Sequence, residues 1–239
     1  EITANEACAI LVRIMGYEFR VRNGAYLTEA TALGILSGTN LGDGVSFKDI
    51  YRLMYNCLFA DVSTGNSIDG SPENTGSIMM MEKRFKIYEI KGVVTDDGQT
   101  SLTGESEISG ECILVGGYAM KNLSGKSDLL GCNIKGYYKS DNGEDVLYSA
   151  YITERKNNIA SYDADTLESY ENNTYSFYTD ENKSKTKKEQ LESDFKLIYN
   201  SKAVQSVSGI SQSELNSMMT PESGSVRLID NNGNGKYDV

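Results

Sequence analysis

The chain has 239 residues, of which 39% are hydrophobic and 24% are charged, and its formal net charge is -11. This length and composition are typical of a globular protein with one large or two modest domains. The acidic charge disfavours nucleic acids and anionic membranes as partners, and no run approaches the roughly 20 apolar residues of a membrane span. Because the sequence contains no histidine, histidine-based catalytic triads and histidine-ligated zinc or haem are excluded.

Two segments near the start, residues 2–16 and 45–58, follow one pattern. Each has an apolar residue, then a hydroxyl residue, then an acid three positions later, and then helically spaced apolar residues. This order predicts a capping box, in which the hydroxyl and the acid bond reciprocally to the first backbone N–H groups of a helix. The predicted pairs are Thr3 with Glu6 and Ser46 with Asp49.

The apolar spacing assigns one buried face to each of these two helices. In the first helix the predicted face consists of Ala7, Ile10, Leu11 and Ile14. In the second it consists of Ile50, Leu53, Met54 and Cys57. Residues 27–36 read as a short third helix that ends at Gly38, so the sequence predicts a small bundle of three helices.

The first quarter of the chain resembles the S-layer homology (SLH) family, whose members are surface modules of bacteria. The segment ITANEACAILVRIMGYE is similar to the family's helix-opening pattern, LTEATALGILSG to its middle helix and turn, and VSFKDIYRLMYNCL to the helix that closes a repeat. The family's arginine position falls on Ala4 in the first copy and on Phe47 in the second. A second likeness, carried by YEIKGVVTDDGQTSLTG and SGSVRLIDNNGNGKYDV, is to the region that follows SLH repeats in large surface proteins.

The SLH resemblance implies an extracellular location at the bacterial cell surface or cell wall. It also implies contact between the helix-opening motif and cell-wall polysaccharide. In this chain the glycan-binding candidates are Thr3, Glu6, Ser46 and Asp49. The alternative is that these four residues only cap their helices.

Residues 61–76 are rich in glycine, serine, asparagine and aspartate, which is typical of a linker. We therefore predict an SLH-like helical module at 1–62, a linker at 63–80 and a β-rich domain at 81–239. The predicted strands are 85–94, 107–115, 129–139, 146–154, 175–178 and 195–200, and Asn142-Gly143 is the strongest hairpin signal. The predicted fold class is α+β, with a small N-terminal helical bundle followed by a mainly antiparallel β domain.

The end of the chain carries oxygen side chains at the spacing of a calcium loop. The candidate ligands are Asp230, Asn232, Asn234, Lys236 through its backbone carbonyl, and Asp238. The flanking residues 225–229 and 236–239 read as strands, so the loop belongs to a hairpin. Because only two of the ligands are carboxylates, we expect modest affinity for Ca²⁺. The alternative is an Asn-Gly turn that joins two strands without a metal.

The four cysteines show no C-x-x-C spacing, which argues against a zinc ribbon or a thioredoxin-type pair. Cys8 and Cys57 lie on or beside the predicted apolar stripes, so they read as buried free thiols, with a Cys8–Cys57 disulfide as the alternative.

No catalytic motif stands out. The sequence therefore favours a non-catalytic structural protein of the bacterial surface, whose partners are cell-wall polysaccharide or neighbouring surface-protein subunits. The rival interpretations are a polysaccharide-acting enzyme that uses two carboxylates, and a carbohydrate-binding module that uses exposed tyrosines.

Overall fold

The computed structural model describes residues 2–42, 44–63, 78–204 and 207–239. The chain divides into two compact units, Glu1–Tyr88 and Glu89–Val239. Most helices lie in the first unit and nearly all strands in the second, so the predicted α+β class is confirmed. No helix in the described ranges combines the length and the apolar character that crossing a membrane requires.

The first unit is helical. Its elements are α1 (Ala4–Ile14), a 3₁₀ turn (Glu18–Arg20), α2 (Tyr26–Ala32), α3 (Phe47–Phe59) and α4 (Met80–Phe85). The helices α1 and α3 begin where the two matching segments predict, and both capping boxes are formed as expected. The middle helix is shorter than predicted, because the chain turns at Gly34, whose φ of 74° lies in the left-handed region.

The buried face of α1 differs from the predicted one. Ala7 is buried as expected and Leu11 packs against the core, but Ile10 and Ile14 are about half exposed. The side chains that α1 buries are Ala7, Cys8, Ala9 and Val12, followed by its C-cap Met15. Apolar residues lie on both sides of this helix, so their spacing alone could not decide which side meets the core.

The buried face of α3 was predicted only in part. Leu53 and Cys57 are buried at 1% and 3% exposure, whereas Met54 is 54% exposed. Ile50 is half-buried.

The predicted linker and domain boundary need correction. Of the expected linker 63–80, residues 64–77 lie outside the described residues. The rest is not a spacer, because Asp61 and Met79 form an antiparallel bridge and Met80 is buried in the helical core. The Lys83 ammonium also donates a hydrogen bond to the Ser63 carbonyl, at 2.7 Å. Residues 80–85 form the helix α4, which begins with Met80 and Met81. This helix belongs to the first unit.

The second unit begins with a closed barrel of five strands. They are β1 (Ile87–Asp96), β2 (Cys112–Val115), β3 (Tyr118–Asn122), β4 (Asn133–Asp141) and β5 (Glu144–Ile152), in the order β1-β2-β3-β5-β4. The β3–β5 pair is parallel, whereas β1–β2, β2–β3 and β4–β5 are antiparallel. This order is also that of the oligonucleotide- and oligosaccharide-binding barrel, a likeness of topology that assigns no function.

The predicted Asn142-Gly143 hairpin joins β4 to β5, with Asp141 opposite Glu144. Both turn residues have positive φ, at 52° and 87°, as a type I′ turn requires.

The remaining strands build a second core beside the barrel. They are β6 (Asn158–Asp163), β7 (Leu167–Glu171), β8 (Thr174–Tyr178), β9 (Thr186–Gln190), β10 (Leu197–Tyr199), β11 (Lys202–Val204) and β12 (Ser225–Asp230), with one helix, α5 (Gln212–Met219). These strands form the antiparallel sets β7-β8-β9, β10-β11 and β12-β6. The strand β12 serves both cores, since Ile229 packs in the barrel core and Leu228 in the second core.

Candidate calcium loop

Residues 230–238 form a loop whose two ends are held together. The Ile229 N–H donates to the Val239 carbonyl at 2.8 Å, and the Val239 N–H donates back at 3.1 Å. The Tyr237 N–H donates to the Gln190 carbonyl at 2.9 Å, which ties the loop to the end of β9. The two ends thus pair as in a hairpin, but of the two predicted flanking strands only the first, β12, is present. Residues 236–239 form no strand and contribute one isolated bridge, from Tyr237 to Leu191.

The first candidate ligand, Asp230, organises the loop from inside. Its carboxylate is only 2% exposed, and it accepts three backbone hydrogen bonds. Oδ1 accepts from the N–H groups of Asn232 (3.2 Å) and Gly233 (2.7 Å), and Oδ2 accepts from the N–H of Gly235 (2.9 Å). Both glycines have positive φ, and a Cβ at Gly233 would lie 3.0 Å from the Arg155 carbonyl oxygen. These positions therefore favour glycine.

The next candidate ligands continue the same pattern. The Asn232 Oδ1 accepts from the Asn234 N–H at 3.0 Å, and the Asn234 Oδ1 accepts from the Lys236 N–H at 2.9 Å. With Asp230, three alternating side chains thus bond to the backbone two residues ahead, which is the Asx-turn geometry. The series curls the chain so that the predicted oxygen donors belong to one compact loop.

The last candidate ligand, Asp238, closes the loop. Its Oδ2 accepts from the Asn231 N–H at 2.8 Å, and its Oδ1 accepts from the Asn232 side-chain amide at 2.7 Å. Burial raises the pKa of the Asp238 carboxyl, and the negative charges of Asp230 and Glu192 raise it further. The loop therefore gathers acidic groups that repel one another.

Glu192 is a functional candidate that the sequence pattern did not reveal. Its Oε1 accepts a hydrogen bond of 2.6 Å from the side-chain amide of Asn234. It lies just beyond β9, far from the loop in the sequence, so no local spacing could have identified it.

The side chains of the loop carry the type of oxygen ligand that a hard cation prefers. Carboxylate and amide oxygens are the ligands that Ca²⁺ prefers, and a carbonyl or carboxylate oxygen that accepts one hydrogen bond retains a second lone pair. Within the part of the chain that the structure describes, however, no three acidic or cysteine side chains are already arranged as a metal-holding group. The side-chain NH₂ of Asn232 donates to Asp238, and that of Asn234 donates to Glu192.

The four glycan-binding candidates lie at the starts of α1 and α3. The Thr3 N–H donates to Glu6 at 2.9 Å and the Glu6 N–H to Thr3 at 3.3 Å, and Ser46 and Asp49 repeat this at 3.1 and 3.2 Å. These hydrogen bonds hold the pKa of both carboxyls below their usual values.

A backbone hydrogen bond brings the two caps side by side. The Val45 N–H donates to the Ile2 carbonyl at 3.2 Å, joining the residues that immediately precede each cap. The structure thus brings the four candidates to one end of the bundle, where capping accounts for their hydrogen bonds.

All four cysteines are free thiols. Cys8 and Cys57 are buried in the helical core, as the sequence favoured. Burial raises the pKa of Cys57 to about 11, with a further contribution from Cys8, so this thiol stays protonated at neutral pH.

Comparisons of the chain with models of protein families, with curated proteins and with solved structures gave no match. The class of the protein is therefore stated from its own sequence and structure. It is an α+β protein that joins a bundle with two matching capped helices to a β unit that ends in an acidic Asx-rich loop.

Proposed function

We propose that the chain is a non-catalytic structural protein of the bacterial cell surface that associates with neighbouring surface-protein subunits. The observation that carries this proposal is the pair of capped helices α1 and α3. They match the SLH pattern in sequence, start side by side, and share one core in which Leu53 is buried and against which Leu11 packs. The resemblance of this pair to SLH modules is the basis for the cell-surface location.

The outer face of α3 supports a protein partner. Phe47 and Tyr51 are 81% and 71% exposed, and Met54 and Tyr55 are each 54% exposed. Their spacing places them along one side of the helix, and the Arg52 guanidinium lies 6.0 Å from the Tyr55 ring. We call the four exposed residues Phe47, Tyr51, Met54 and Tyr55 the α3 stripe. Aromatic residues, methionine and arginine are enriched in the cores of protein interfaces. Phe47, moreover, stands where the family has its arginine.

Co-sedimentation with isolated bacterial cell walls tests this proposal. We expect the chain to pellet with walls that retain their surface proteins and much less with walls stripped of them. The double variant Phe47→Ala/Tyr51→Ala should lose pelleting, because truncation of central aromatic anchors commonly costs about 2 kcal/mol of binding energy or more. The matched control is Phe85→Ala, which removes a 51% exposed aromatic side chain from the end of α4. Equal pelleting of the double variant and the control would contradict the α3 stripe as the interface.

The same experiment separates the glycan alternative. If the caps bind wall polysaccharide, stripped walls should retain the chain, and Glu6→Gln with Asp49→Asn should release it. Those substitutions keep the size of both side chains and remove their charge.

We also propose that the 230–238 loop binds Ca²⁺ with a Kd of roughly 10⁻⁴ to 10⁻³ M, the range of extracellular calcium modules. The proposal is supported by the consecutive Asx turns and by the negative charges of Asp230 and Glu192, which act on the Asp238 carboxyl. Oxygen donors for the ion would come from Asp230, Asn232, Asn234, the Lys236 carbonyl and Asp238. A bound cation would offset the mutual repulsion of the carboxylates and stiffen the loop.

Thermal unfolding with CaCl₂ or MgCl₂ tests the calcium proposal. A ligand at ten times its Kd stabilises the folded state by about 1.4 kcal/mol, so millimolar Ca²⁺ should raise Tm by several degrees and Mg²⁺ by less. Asp238→Asn should abolish this increase. The control, Asp163→Asn, removes an exposed acid elsewhere in the unit and should retain it. A calcium effect of equal size in both variants would assign the increase to general ionic screening.

Oligosaccharide binding is a second candidate, favoured by one observation. The neighbouring barrel strands β3 and β5 expose three tyrosines, namely Tyr118, Tyr148 and Tyr151, and aromatic side chains commonly line ligand sites. Affinity electrophoresis in gels that contain cell-wall polysaccharide tests it. Retardation that disappears in Tyr151→Ala but persists in the α3-stripe variant would favour this function over the first.

A further inference from the structure

The sequence contains four Asn-Gly pairs, at residues 23–24, 142–143, 232–233 and 234–235. An asparagine that precedes glycine can lose its side-chain amide without an enzyme, because the unhindered glycine lets its backbone nitrogen reach the asparagine side chain. The reaction needs a glycine N–H that can give up its proton and an asparagine side chain that is free to turn. The four pairs differ on both counts.

The pair Asn142-Gly143 lies exposed at the tip of the β4–β5 hairpin. Nothing lies within 4 Å of the position that a Cβ on Gly143 would take, so the turn has open space around it. Among the described residues, no hydrogen bond uses the Gly143 N–H or the Asn142 side chain. Both reacting groups of this pair are therefore unrestrained.

The pair Asn23-Gly24 forms a similar turn in the helical unit, just before α2. Both residues are exposed and have positive φ, at 50° and 70°. The Ala25 N–H donates across this turn to the Arg22 carbonyl at 3.0 Å. In the part of the chain that the structure describes, neither the Gly24 N–H nor the Asn23 side chain makes a hydrogen bond. The reacting groups of this pair are as unrestrained as those at the hairpin tip.

In the 230–238 loop, by contrast, both glycine N–H groups are engaged. The buried Asp230 carboxylate accepts the Gly233 N–H at 2.7 Å and the Gly235 N–H at 2.9 Å. An N–H that donates to a buried carboxylate resists deprotonation, because the amide anion would lie beside a negative charge in a poorly hydrated site. The nitrogen that starts the reaction is therefore blocked in both pairs of the loop.

The asparagine side chains of the loop are also held in place. Asn232 accepts from the Asn234 N–H at 3.0 Å and donates to Asp238 at 2.7 Å. Asn234 in turn accepts from the Lys236 N–H at 2.9 Å and donates to Glu192 at 2.6 Å. Each side chain would have to break two hydrogen bonds before its carbonyl carbon could turn towards the glycine nitrogen.

The other buried aspartate of the β unit shows the same arrangement. An aspartate that precedes glycine isomerises through the same ring, and Asp97-Gly98 is such a pair. The Asp96 carboxylate accepts the Gly98 N–H at 2.8 Å. The Asp97 side chain is itself fixed, because it accepts from the N–H groups of Gln99 at 2.9 Å and Thr100 at 2.7 Å. Both buried carboxylates thus hold glycines that follow an aspartate or an asparagine.

We propose that Asn142 and Asn23 are sites of spontaneous deamidation, and that the carboxylates of Asp230 and Asp96 protect the other such pairs of the β unit. In the first step the glycine nitrogen bonds to the side-chain carbonyl carbon of the asparagine. Ammonia leaves, made from the side-chain NH₂ and the proton of the glycine amide. Water then opens the resulting succinimide ring, which gives aspartate or isoaspartate.

Deamidation at Asn142 changes the hairpin in two ways. Either product adds a negative charge at a tip that already carries Asp141, Glu144 and Asp145. Isoaspartate also inserts one extra carbon into the backbone of a two-residue turn, in which Asp141 must lie opposite Glu144. The pairing of β4 with β5 therefore weakens at the modified tip.

This chemistry goes beyond the proposed surface function and uses neither the α3 stripe nor bound calcium. Failure of the chain to pellet with cell walls, or to respond to Ca²⁺, would leave it unaffected. Conversely, a chain that does not deamidate as proposed would leave both of those proposals standing.

The first test follows deamidation of the full chain in mildly alkaline buffer with EDTA, by mass spectrometry of proteolytic peptides. A parallel sample unfolded in urea gives the unrestrained rate at each asparagine. In the folded chain, the rates at Asn142 and Asn23 should approach those in urea. The rates at Asn232 and Asn234 should fall at least about tenfold below theirs, because hydrogen bonds to a charged acceptor must first break.

Two results of this test would overturn the proposal. One is equal deamidation of all four asparagines in the folded chain, which would mean that Asp230 protects nothing. The other is protection of Asn142 or Asn23 to the level of the loop asparagines, which would mean that the exposed turns are not reactive sites.

The second test changes the protecting carboxylate. Asp230→Asn removes its charge, and we expect deamidation at Asn232 and Asn234 to accelerate at least about threefold while the rate at Asn142 stays the same. Asp163→Asn, the matched control, removes an exposed acid from β6 and should change none of these rates. Unchanged rates in a folded Asp230→Asn chain would contradict the protective role of this carboxylate. Circular dichroism establishes that the variants fold, and if Asp230→Asn does not, the comparison with urea still decides the question.

Discussion

The helical unit and the β unit use their acidic side chains in opposite ways. In the helical unit, Glu6 is exposed and Asp49 is only partly buried, and each bonds to a residue three positions away in its own capping box. In the β unit, Asp96 and Asp230 are each only 2% exposed, and each collects several hydrogen bonds from a loop. The architecture of the first unit is therefore encoded in short patterns, whereas that of the second depends on buried carboxylates.

Asp96 illustrates the second mode. Its carboxylate accepts from the Gly98 N–H at 2.8 Å, from the Ser106 hydroxyl at 2.7 Å and from the Glu107 N–H at 3.3 Å. The long segment between β1 and β2 is thus held around one side chain at the end of β1. Nothing in the local sequence marks this aspartate as different from its neighbour Asp97, which is only partly buried.

The sharpest test of this difference is removal of a buried acid. Asp230→Ala leaves three backbone N–H groups without their acceptor, and each unsatisfied donor costs about 1–3 kcal/mol. We expect a loss of about 4 kcal/mol in the free energy of unfolding, measured with urea. Asp163→Ala, which removes an exposed acid from the partner strand β6, should change stability by less than about 0.5 kcal/mol. Similar losses in the two variants would mean that burial does not distinguish these acids.

The second prediction addresses the face of α3. Leu53→Ala should lose about 3 kcal/mol, because it removes a fully buried side chain and leaves a cavity. Met54→Ala, one position along the same helix, should lose less than about 0.5 kcal/mol, because its side chain lies in the exposed α3 stripe. Guanidinium unfolding measures both. Similar losses in the two variants would restore the helix face that the apolar spacing first indicated, because that face included both residues.

The third prediction concerns the two caps. Thr3→Ala and Ser46→Ala should each lose about 1 kcal/mol, the usual effect of removing an N-cap hydroxyl. Since the two boxes have matching geometry, the losses should agree within a few tenths of a kcal/mol. The control is Thr28→Ala, an exposed threonine in α2. A loss of stability in only one of the two variants would show that the two caps, although they match in sequence, do not stabilise their helices equally.

The smallest expected effect is a pH dependence of opposite sign in the two units. The carboxyl pKa values of Glu6 and Asp49 are lowered in the fold, so their stabilisation is present at neutral pH. It is lost as the pH falls below their ordinary values of 4.5 and 3.8 and through the lowered pKa values. The pKa of Asp238 is raised, so its protonation begins above 3.8 and relieves repulsion in the loop as the pH falls.

An NMR titration of the three carboxyl groups checks this prediction. Glu6 and Asp49 should titrate below their ordinary values and Asp238 above its own, in the absence of Ca²⁺. Added Ca²⁺ should move the Asp238 pKa downwards and leave the two capping acids unchanged. A downward movement of all three would indicate general ionic screening instead of binding at the loop.

The sequence predicted those features of the fold whose contacts join residues close together along the chain. The paired caps and the Asn142-Gly143 turn were predictable, because their hydrogen bonds join residues close in sequence. The strands β3, β6, β7, β9 and β11 were missed, and so was α5. The burial pattern of β9, with one buried side chain among four exposed ones, lacks the alternation that identifies a half-buried strand. The extent of α4 was also missed, because an apolar run of methionines fits either a strand or a helix.

The candidate calcium loop likewise combines features set by nearby residues with a contact from a distant segment. The positions of its five predicted ligands follow from the spacing of Asx residues, and their Asx turns are local. Glu192 comes from another part of the chain and bonds to the Asn234 side chain. By itself, the sequence determined the two capped helices, the hairpin turn and the position of the acidic loop, since these depend on contacts within a few residues. The tertiary structure alone decided which face of α1 is buried and that Glu192 contacts the acidic loop, because those outcomes depend on segments that only folding brings together.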